Sequence, residues 1–247
     1  MMHDKFIIFM ITLATAWAAP SSIPNSYNAP VQDQFLTTAC KADDISPPLS
    51  NGTATLPAPP YGQKVLHLAV GRGTQNYTCD SSSSSTAPKA VGALAVLYNA
   101  LCVAIDNPDL FNLLPDISLQ FSTPGGVSGP VSPPSILNYQ NLNVIGHHFF
   151  FNSTTPVFDL NTPNGMFGNA VMEKADSVNA PHNAPKGQGS NANGAVPWLL
   201  LNSTSASTGP VKTVYRTMTA GGEPPATCNG MPSSFTVEYA AHYWFLG

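Results

Sequence analysis

Most apolar residues of the chain occur in short runs separated by turn residues, and this spacing limits the folds that the chain can adopt. Runs of this length, several of them alternating with period two, are typical of β-strands in sandwiches and barrels. No repeat of 20–50 residues is visible. We therefore predict an all-β domain, a sandwich or a barrel. The predicted strands are 64–70, 117–121, 147–151, 157–160, 198–201, 211–219 and 235–245.

One segment follows a different period. Between Ala87 and Ile105 the apolar residues recur at every third or fourth position, which predicts one short helix. Residues 20–60 are rich in Pro, Ser and Asn, so we expect an irregular, extended arm anchored by Cys40. The polar stretch Asn179–Pro197 is predicted to be a long loop, and loops of that length are usually functional or mobile.

The stretch Gly71-Arg72-Gly73 follows an apolar run and begins like a dinucleotide-binding loop. The full fingerprint needs a third glycine at its sixth position, where this chain has Asn76. The residues after Gly73 alternate with period two, which predicts a strand and not the helix that a phosphate loop opens. We interpret the stretch as a hairpin turn between two strands, and we predict no nucleotide cofactor.

The N-terminus has the features of a secretory signal. Lys5 precedes an apolar run that ends in Ala16-Trp17-Ala18, with small residues where a signal peptidase needs them. The run is shorter than the ~20 residues of a membrane-spanning helix, and no other segment qualifies. We predict a signal peptide at 1–19, the arm at 20–60 and a single β-rich domain at 61–247 of a secreted, extracellular protein without a membrane span.

Charged residues are sparse, at 9% of the chain, and the net charge is −4. No basic patch occurs, so we predict no nucleic-acid partner. Apolar residues make up 43% of the chain, more than a disordered sequence would carry. This composition suits an extracellular β-protein.

Four cysteines follow the predicted signal peptide, and an even number in a secreted chain indicates two disulfides. Three pairings are possible, and we favour Cys79–Cys102 together with Cys40–Cys228. Four glycosylation sequons point to the same compartment, because glycans are added to surface asparagines of secreted proteins. The sequon asparagines are Asn51, Asn76, Asn152 and Asn202.

The motifs of common enzymes are missing. The chain contains no G-x-S-x-G, no H-x-x-x-H and no C-x-x-C, so we predict no serine-hydrolase site and no metal. The candidate site residues are His147, His148, Asp159 and Arg216, which would favour an enzyme if they met in one cleft. Structural roles are favoured for all four. Arg216 in particular is expected to pair with Glu238 or Glu223 across the sheet.

Aromatic residues are concentrated in the predicted strands of the last third of the chain. Flat rings can stack on sugars and form a carbohydrate platform, but aromatic side chains in strands more often belong to the core. We favour the core. The residues concerned are Trp198, Tyr215, Tyr239, Tyr243, Trp244 and Phe245.

Several motifs, in order, resemble a family of secreted fungal proteins classed as a domain of unknown function. They are YGQKVLHLAVGRGTQNYTC from Tyr61, GHHFFF from Gly146, AVPWLLL from Ala195, VYRTMTAGGEPPATC from Val214 and EYAAHYWF from Glu238. Automated labels often call its fungal members malate dehydrogenase or malate dehydrogenase-like. The resemblance implies an extracellular β-rich module and supplies no catalytic residues. The glycine spacing gives no support to a dehydrogenase.

The function expected from these observations is binding. We predict a non-catalytic module of a fungal cell surface, wall or matrix, or a secreted effector, with carbohydrate, cell wall or host surface as partner. The alternative is an extracellular hydrolase that uses carboxylates or a metal.

Overall fold

A computed structural model describes residues 40–82, 84–120, 142–187 and 192–247. Within them, eight antiparallel strands form a closed barrel in which each strand pairs with its neighbours in the chain, and the last strand pairs with the first. The strands are β1 Val65–Thr78, β2 Lys89–Asn99, β3 Val144–Phe150, β4 Pro156–Thr162, β5 Gly165–Val178, β6 Trp198–Ser203, β7 Thr213–Gly221 and β8 Ser234–Leu246. Two helices, α1 Leu101–Asp106 and α2 Pro108–Gln120, lie between β2 and β3 in the sequence. The predicted β-fold is therefore confirmed, as a barrel.

Successive side chains of each strand point to opposite faces of the barrel wall, so the protein has two cores, one inside the barrel and one outside it. In β8, Tyr239 and Tyr243 belong to the core inside the barrel, whereas Trp244 belongs to the core outside it. The inner core also holds Leu97 of β2 and Phe158 of β4. Both faces of the wall are buried where the helices cover it, so β7 and the second half of β8 are buried at nearly every position.

Helix α2 covers the outer face of the barrel at β1, β7 and β8. The Phe111 ring stacks on the His242 ring with centroids 3.7 Å apart. His242 Nε2–H donates a hydrogen bond of 2.9 Å to the Phe111 carbonyl oxygen. Burial lowers the pKa of His242 to about 3, so the ring is neutral in the folded protein. No helix among the described residues is long and apolar enough to cross a membrane.

The described half of the N-terminal arm packs on the same outer face. Leu56 is buried in the outer core, and the Tyr215 hydroxyl donates a 2.9 Å hydrogen bond to the Pro57 carbonyl oxygen. The expectation that Cys40 alone anchors the arm is therefore wrong for residues 40–60. The predicted signal peptide and the first half of the arm lie outside the described residues.

Two predicted elements differ from the structure, and one observed strand was not predicted. The segment Ala87–Ile105 is mostly strand β2, and only its end is helical. Residues 117–120, predicted as a strand, form the last turn of α2, and Phe121 lies outside the described residues. Strand β5 was not predicted, because Gly165 and Gly168 and its charged residues hide the alternation. In each case tertiary packing overrides a weak local signal.

The Gly71-Arg72-Gly73 stretch is not a hairpin turn. It lies inside β1, which continues unbroken to Thr78 and pairs with β2 and β8 along its length. The predicted absence of a helix after Gly73 is confirmed. Packing requires a glycine at position 71, since the Tyr243 ring occupies the place where a Cβ would lie.

The favoured disulfide pairing is wrong. The structure pairs Cys40 with Cys102 and Cys79 with Cys228. Cys79 follows β1 and Cys102 follows β2, so the antiparallel hairpin places them at opposite ends of the barrel. An 11-residue strand at about 3.3 Å per residue separates them by far more than the ~7 Å that a disulfide can bridge.

Candidate functional site

The barrel wall separates the four predicted site residues. His148 and Arg216 point into the barrel, where both are buried. His147 and Asp159 are register partners on neighbouring strands and lie on the outside, with His147 exposed. The four residues therefore do not meet in one cleft, and of the four only His148 and Arg216 lie together inside the barrel.

Asp159, on the outside of the barrel, stabilises the local backbone of β4 through its hydrogen bonds to Asn161. Its Oδ1 accepts hydrogen bonds of 3.0 Å from the backbone N–H and the side-chain amide of Asn161. These bonds stabilise the irregularity in the pairing of β4 with β5 between Asp159 and Asn161. A structural role accounts for this carboxylate.

Arg216 is the most unusual group inside the barrel. It is 8% exposed, and its Nε and Nη2 donate to the Pro197 carbonyl oxygen at 3.3 and 2.8 Å. The expected partner Glu238 instead binds Arg72, at 2.7 Å on the outside of the wall. Among the described residues no carboxylate oxygen lies within 4.0 Å of Arg216. Of the residues that the structure does not describe, 121–141 and 188–191 contain no Asp or Glu, and 1–39 contain Asp4 and Asp33.

Two tyrosines of β8 accompany Arg216. Tyr243 is its direct register partner, and the hydroxyls of Tyr239 and Tyr243 form a hydrogen bond of 2.7 Å. Burial raises the pKa of both tyrosines, although the positive charge of Arg216 and its hydrogen bond to Tyr243 oppose this for Tyr243. Both hydroxyls therefore keep their protons at neutral pH, and since one of them donates to the other, one hydroxyl proton remains for a further acceptor.

His148 completes this group from β3. Its Nδ1–H donates to the Val157 carbonyl oxygen at 2.9 Å, so its Nε2 carries a lone pair. The ring stacks on Phe158 with centroids 4.3 Å apart and lies 5.8 Å from the Tyr243 ring centroid. Burial, helped by the nearby Arg216 charge, lowers the pKa of His148 to about 4. Nε2 has no hydrogen-bond partner in the part of the chain that the structure describes.

Residues 194–197 and 221–223, called the roof below, cover one end of this compartment. The backbone N–H of Val196 donates to the Gly221 carbonyl oxygen at 2.9 Å, and that of Glu223 donates to Gly194 at 3.1 Å. Val196 packs into the inner core. The Tyr77 hydroxyl donates to the Gly222 carbonyl oxygen at 2.7 Å. The roof thus closes over the side chains that point up from the strands.

Gln75 lies directly beneath the roof. Its Cγ is a near neighbour of Gly222, and its side chain is 8% exposed. Its Nε2 is buried without a hydrogen-bond partner among the described residues, which is costly for an amide. We call Gln75, His148, Arg216, Tyr239 and Tyr243 the lumen cluster. It combines hydrogen-bond donors with a positive charge.

Sequence reasoning found two members of the lumen cluster and assigned the tyrosines to the core. That assignment is confirmed, because all six aromatic residues considered for a sugar platform are buried. Tyr239 and Tyr243 are four residues apart in a predicted strand, so the sequence alone places both side chains on the same face. The sequence pattern does not predict the burial of Gln75, since that burial depends on the closure of the barrel.

The described ranges contain no group of three or more His, Cys, Asp or Glu residues that could hold a metal ion. Of the two arrangements described above, the outer His147–Asp159 pair has one histidine and one carboxylate, and the lumen cluster has one histidine and no carboxylate.

A family profile described as "Protein of unknown function (DUF3455)" matches residues 60–247, well over half of the chain. The chain belongs to this family. The DUF3455 match spans all eight strands, both helices and the whole lumen cluster. The predicted membership of a family of unknown function is confirmed. No curated protein and no solved structure matches this DUF3455 chain.

Proposed function

We propose that the protein is a secreted, non-catalytic binding module that takes a small ligand into its barrel. An eight-stranded barrel has an interior wide enough either to be filled by side chains or to hold one small ligand. The lumen cluster supports the second use. A buried arginine without a counter-ion is costly for the fold, and a ligand that binds it offsets this cost.

Secretion is part of this proposal. The predicted signal peptide at 1–19, the two disulfides and the four sequons all fit an extracellular glycoprotein. Of the four sequon asparagines, Asn152 and Asn202 are exposed, and Asn51 and Asn76 are half-buried. We propose that the source is a fungus and that the module acts at its surface, wall or matrix, or as a secreted effector.

The alternative function, an extracellular hydrolase, receives less support. Glycoside hydrolysis needs two carboxyl groups that face one cleft. The lumen cluster has none, and Asp159 lies on the other side of the wall. The six buried rings cannot form a carbohydrate platform, so a sugar partner would have to contact other groups.

The test uses the protein secreted from a eukaryotic host. We would screen it by two-dimensional NMR against small organic molecules and soluble wall glycans. The proposal predicts that a small molecule shifts the signals of His148, Tyr239 and Tyr243. If glycans bind and shift only surface signals, or if nothing in the screen reaches the lumen signals, the proposal is wrong.

A further inference from the structure

We infer that the ligand of the lumen cluster is a small organic carboxylate with an apolar body, bound through Arg216. This inference rests on the proposed function and specifies its ligand class. It follows from the charge, the hydrogen-bonding groups and the ring surfaces of the cluster.

The charge argument compares the two arginines of the chain. Both are buried, whereas every described lysine is exposed. Arg72 has its counter-ion in Glu238 at 2.7 Å. Arg216 has only neutral partners among the described residues, namely the Pro197 carbonyl oxygen and Tyr243. The missing counter-charge is one negative charge, which a carboxylate supplies.

The hydrogen-bonding argument concerns unused donors. A guanidinium has five N–H groups. The Pro197 carbonyl oxygen accepts from Nε and Nη2, so up to three N–H groups remain for Tyr243 and a ligand. Gln75 Nε2 adds a buried donor without a partner among the described residues. A carboxylate accepts several such bonds at once, and arginine is the side chain that recognises it best.

The ring surfaces define the body of the ligand. His148, Phe158 and Tyr243 present neighbouring rings, with centroid separations of 4.3 to 5.8 Å. Neutral His148 contributes an apolar ring face and one lone pair, which can accept from a hydroxyl of the ligand. The surroundings therefore favour an aromatic or short aliphatic acid over a fully polar anion such as phosphate.

The test compares acids with their neutral amides. Isothermal titration calorimetry of the wild-type protein would use benzoate and hexanoate as probes, with benzamide, hexanamide and inorganic phosphate as references. We expect at least one acid to bind about tenfold more tightly than its amide, because only the acid supplies the counter-charge. Phosphate is expected to bind more weakly than that acid.

Variants then locate the site. Arg216→Gln keeps a donor near Pro197 and removes the charge, so the preference for acid over amide should disappear. Arg216→Lys should restore part of that preference. Tyr243→Phe should weaken acid binding severalfold. Tyr215→Phe is the matched control, since its hydroxyl binds Pro57 on the outside of the wall, and it should bind like wild type.

Each outcome decides between the two proposals. If an amide binds as tightly as its acid, or if Arg216→Gln keeps the preference, the carboxylate inference is wrong and lumen binding stands. If the broader screen finds no molecule that shifts the lumen signals, the proposed function is wrong as well. Should Arg216→Gln fail to fold, the comparison of Tyr243→Phe with Tyr215→Phe decides, and equal acid binding by both overturns the inference.

Discussion

Arg72 and Arg216 lie on opposite sides of the same barrel wall, and both are buried. Arg72 points outward beneath α2, where its Nε donates to the Ser118 carbonyl oxygen at 3.1 Å and its Nη2 binds Glu238. It thereby ties α2 to the barrel. Arg216 points inward and has no carboxylate partner among the described residues. One arginine attaches α2 to the barrel, and the other is the residue that we propose to bind a ligand.

The ion pair of Arg72 gives the first prediction. Glu238→Gln leaves a fully buried guanidinium without its counter-ion, which is destabilising. Because the Glu238 side chain is 46% exposed and water screens the pair, we expect a loss of about 1–3 kcal/mol, below the full cost of breaking a buried pair. Urea unfolding followed by circular dichroism measures it.

Glu173→Gln is the control for this change. Glu173 is exposed on β5 and has no ion pair among the described residues, so its loss should change the stability by less than about 0.5 kcal/mol. Equal stabilities of the two variants would show that the pair contributes nothing to the attachment of α2.

The fold class could be predicted from the sequence because short alternating runs dominate the second half of the chain. Five of the six strands after the helices begin within three residues of a predicted strand, from Val144 to Ser234. The segment Ala87–Ile105 misled the prediction. It is a strand followed directly by a helix, and its Ala and Leu residues satisfy both periods.

The site could be predicted only in part. The sequence shows that His148 and His147 face opposite ways, but not which of them faces the interior. That choice depends on the register of β3 against β2, in which His148 pairs with Ala95. The counter-ion of Arg72 likewise depends on the closure of β1 against β8, a contact between residues 166 positions apart. Local patterns carry no information on such contacts.

The disulfide pairing gives the second prediction. Peptide mapping of the unreduced, secreted protein should find Cys79 linked to Cys228 and Cys40 linked to Cys102. The double variant Cys79→Ser, Cys228→Ser should lose about 3–5 kcal/mol of stability, since this bridge closes a loop of 149 residues. Secreted yield should fall with it. A peptide that links Cys79 to Cys102 would contradict the described hairpin of β1 and β2.

Glycosylation gives the third prediction. Asn152 lies exposed in the turn between β3 and β4, and Asn202 lies exposed at the end of β6. We expect both to carry glycans in the secreted protein, because neither glycan would displace a packed side chain. Asn152→Gln and Asn202→Gln should each lower the mass by one glycan and leave the lumen signals unchanged. Unmodified asparagine at both positions would argue against passage through the secretory pathway.

The buried histidines give the fourth prediction, a loss of stability in mild acid. The folded pKa values of His148 and His242 are about 4 and about 3, below the ordinary value of 6.5, because burial disfavours the charged rings. Between these values and pH 6.5 the unfolded chain binds more protons than the folded one. The stabilisation by neutral histidine is therefore complete above pH 6.5, and it is lost as the pH falls below 6.5 towards the folded pKa.

Each histidine should contribute a slope of up to about 1.4 kcal/mol per pH unit between pH 6 and 5, which urea unfolding at several pH values measures. His67, whose pKa burial also lowers, adds to the total slope. His148→Gln should reduce the slope by the contribution of one histidine, up to about 1.4 kcal/mol per pH unit. A wild-type stability that stays constant from pH 7 to pH 5 would mean that these rings are not held neutral, and that His148 offers no free lone pair to a ligand in the barrel.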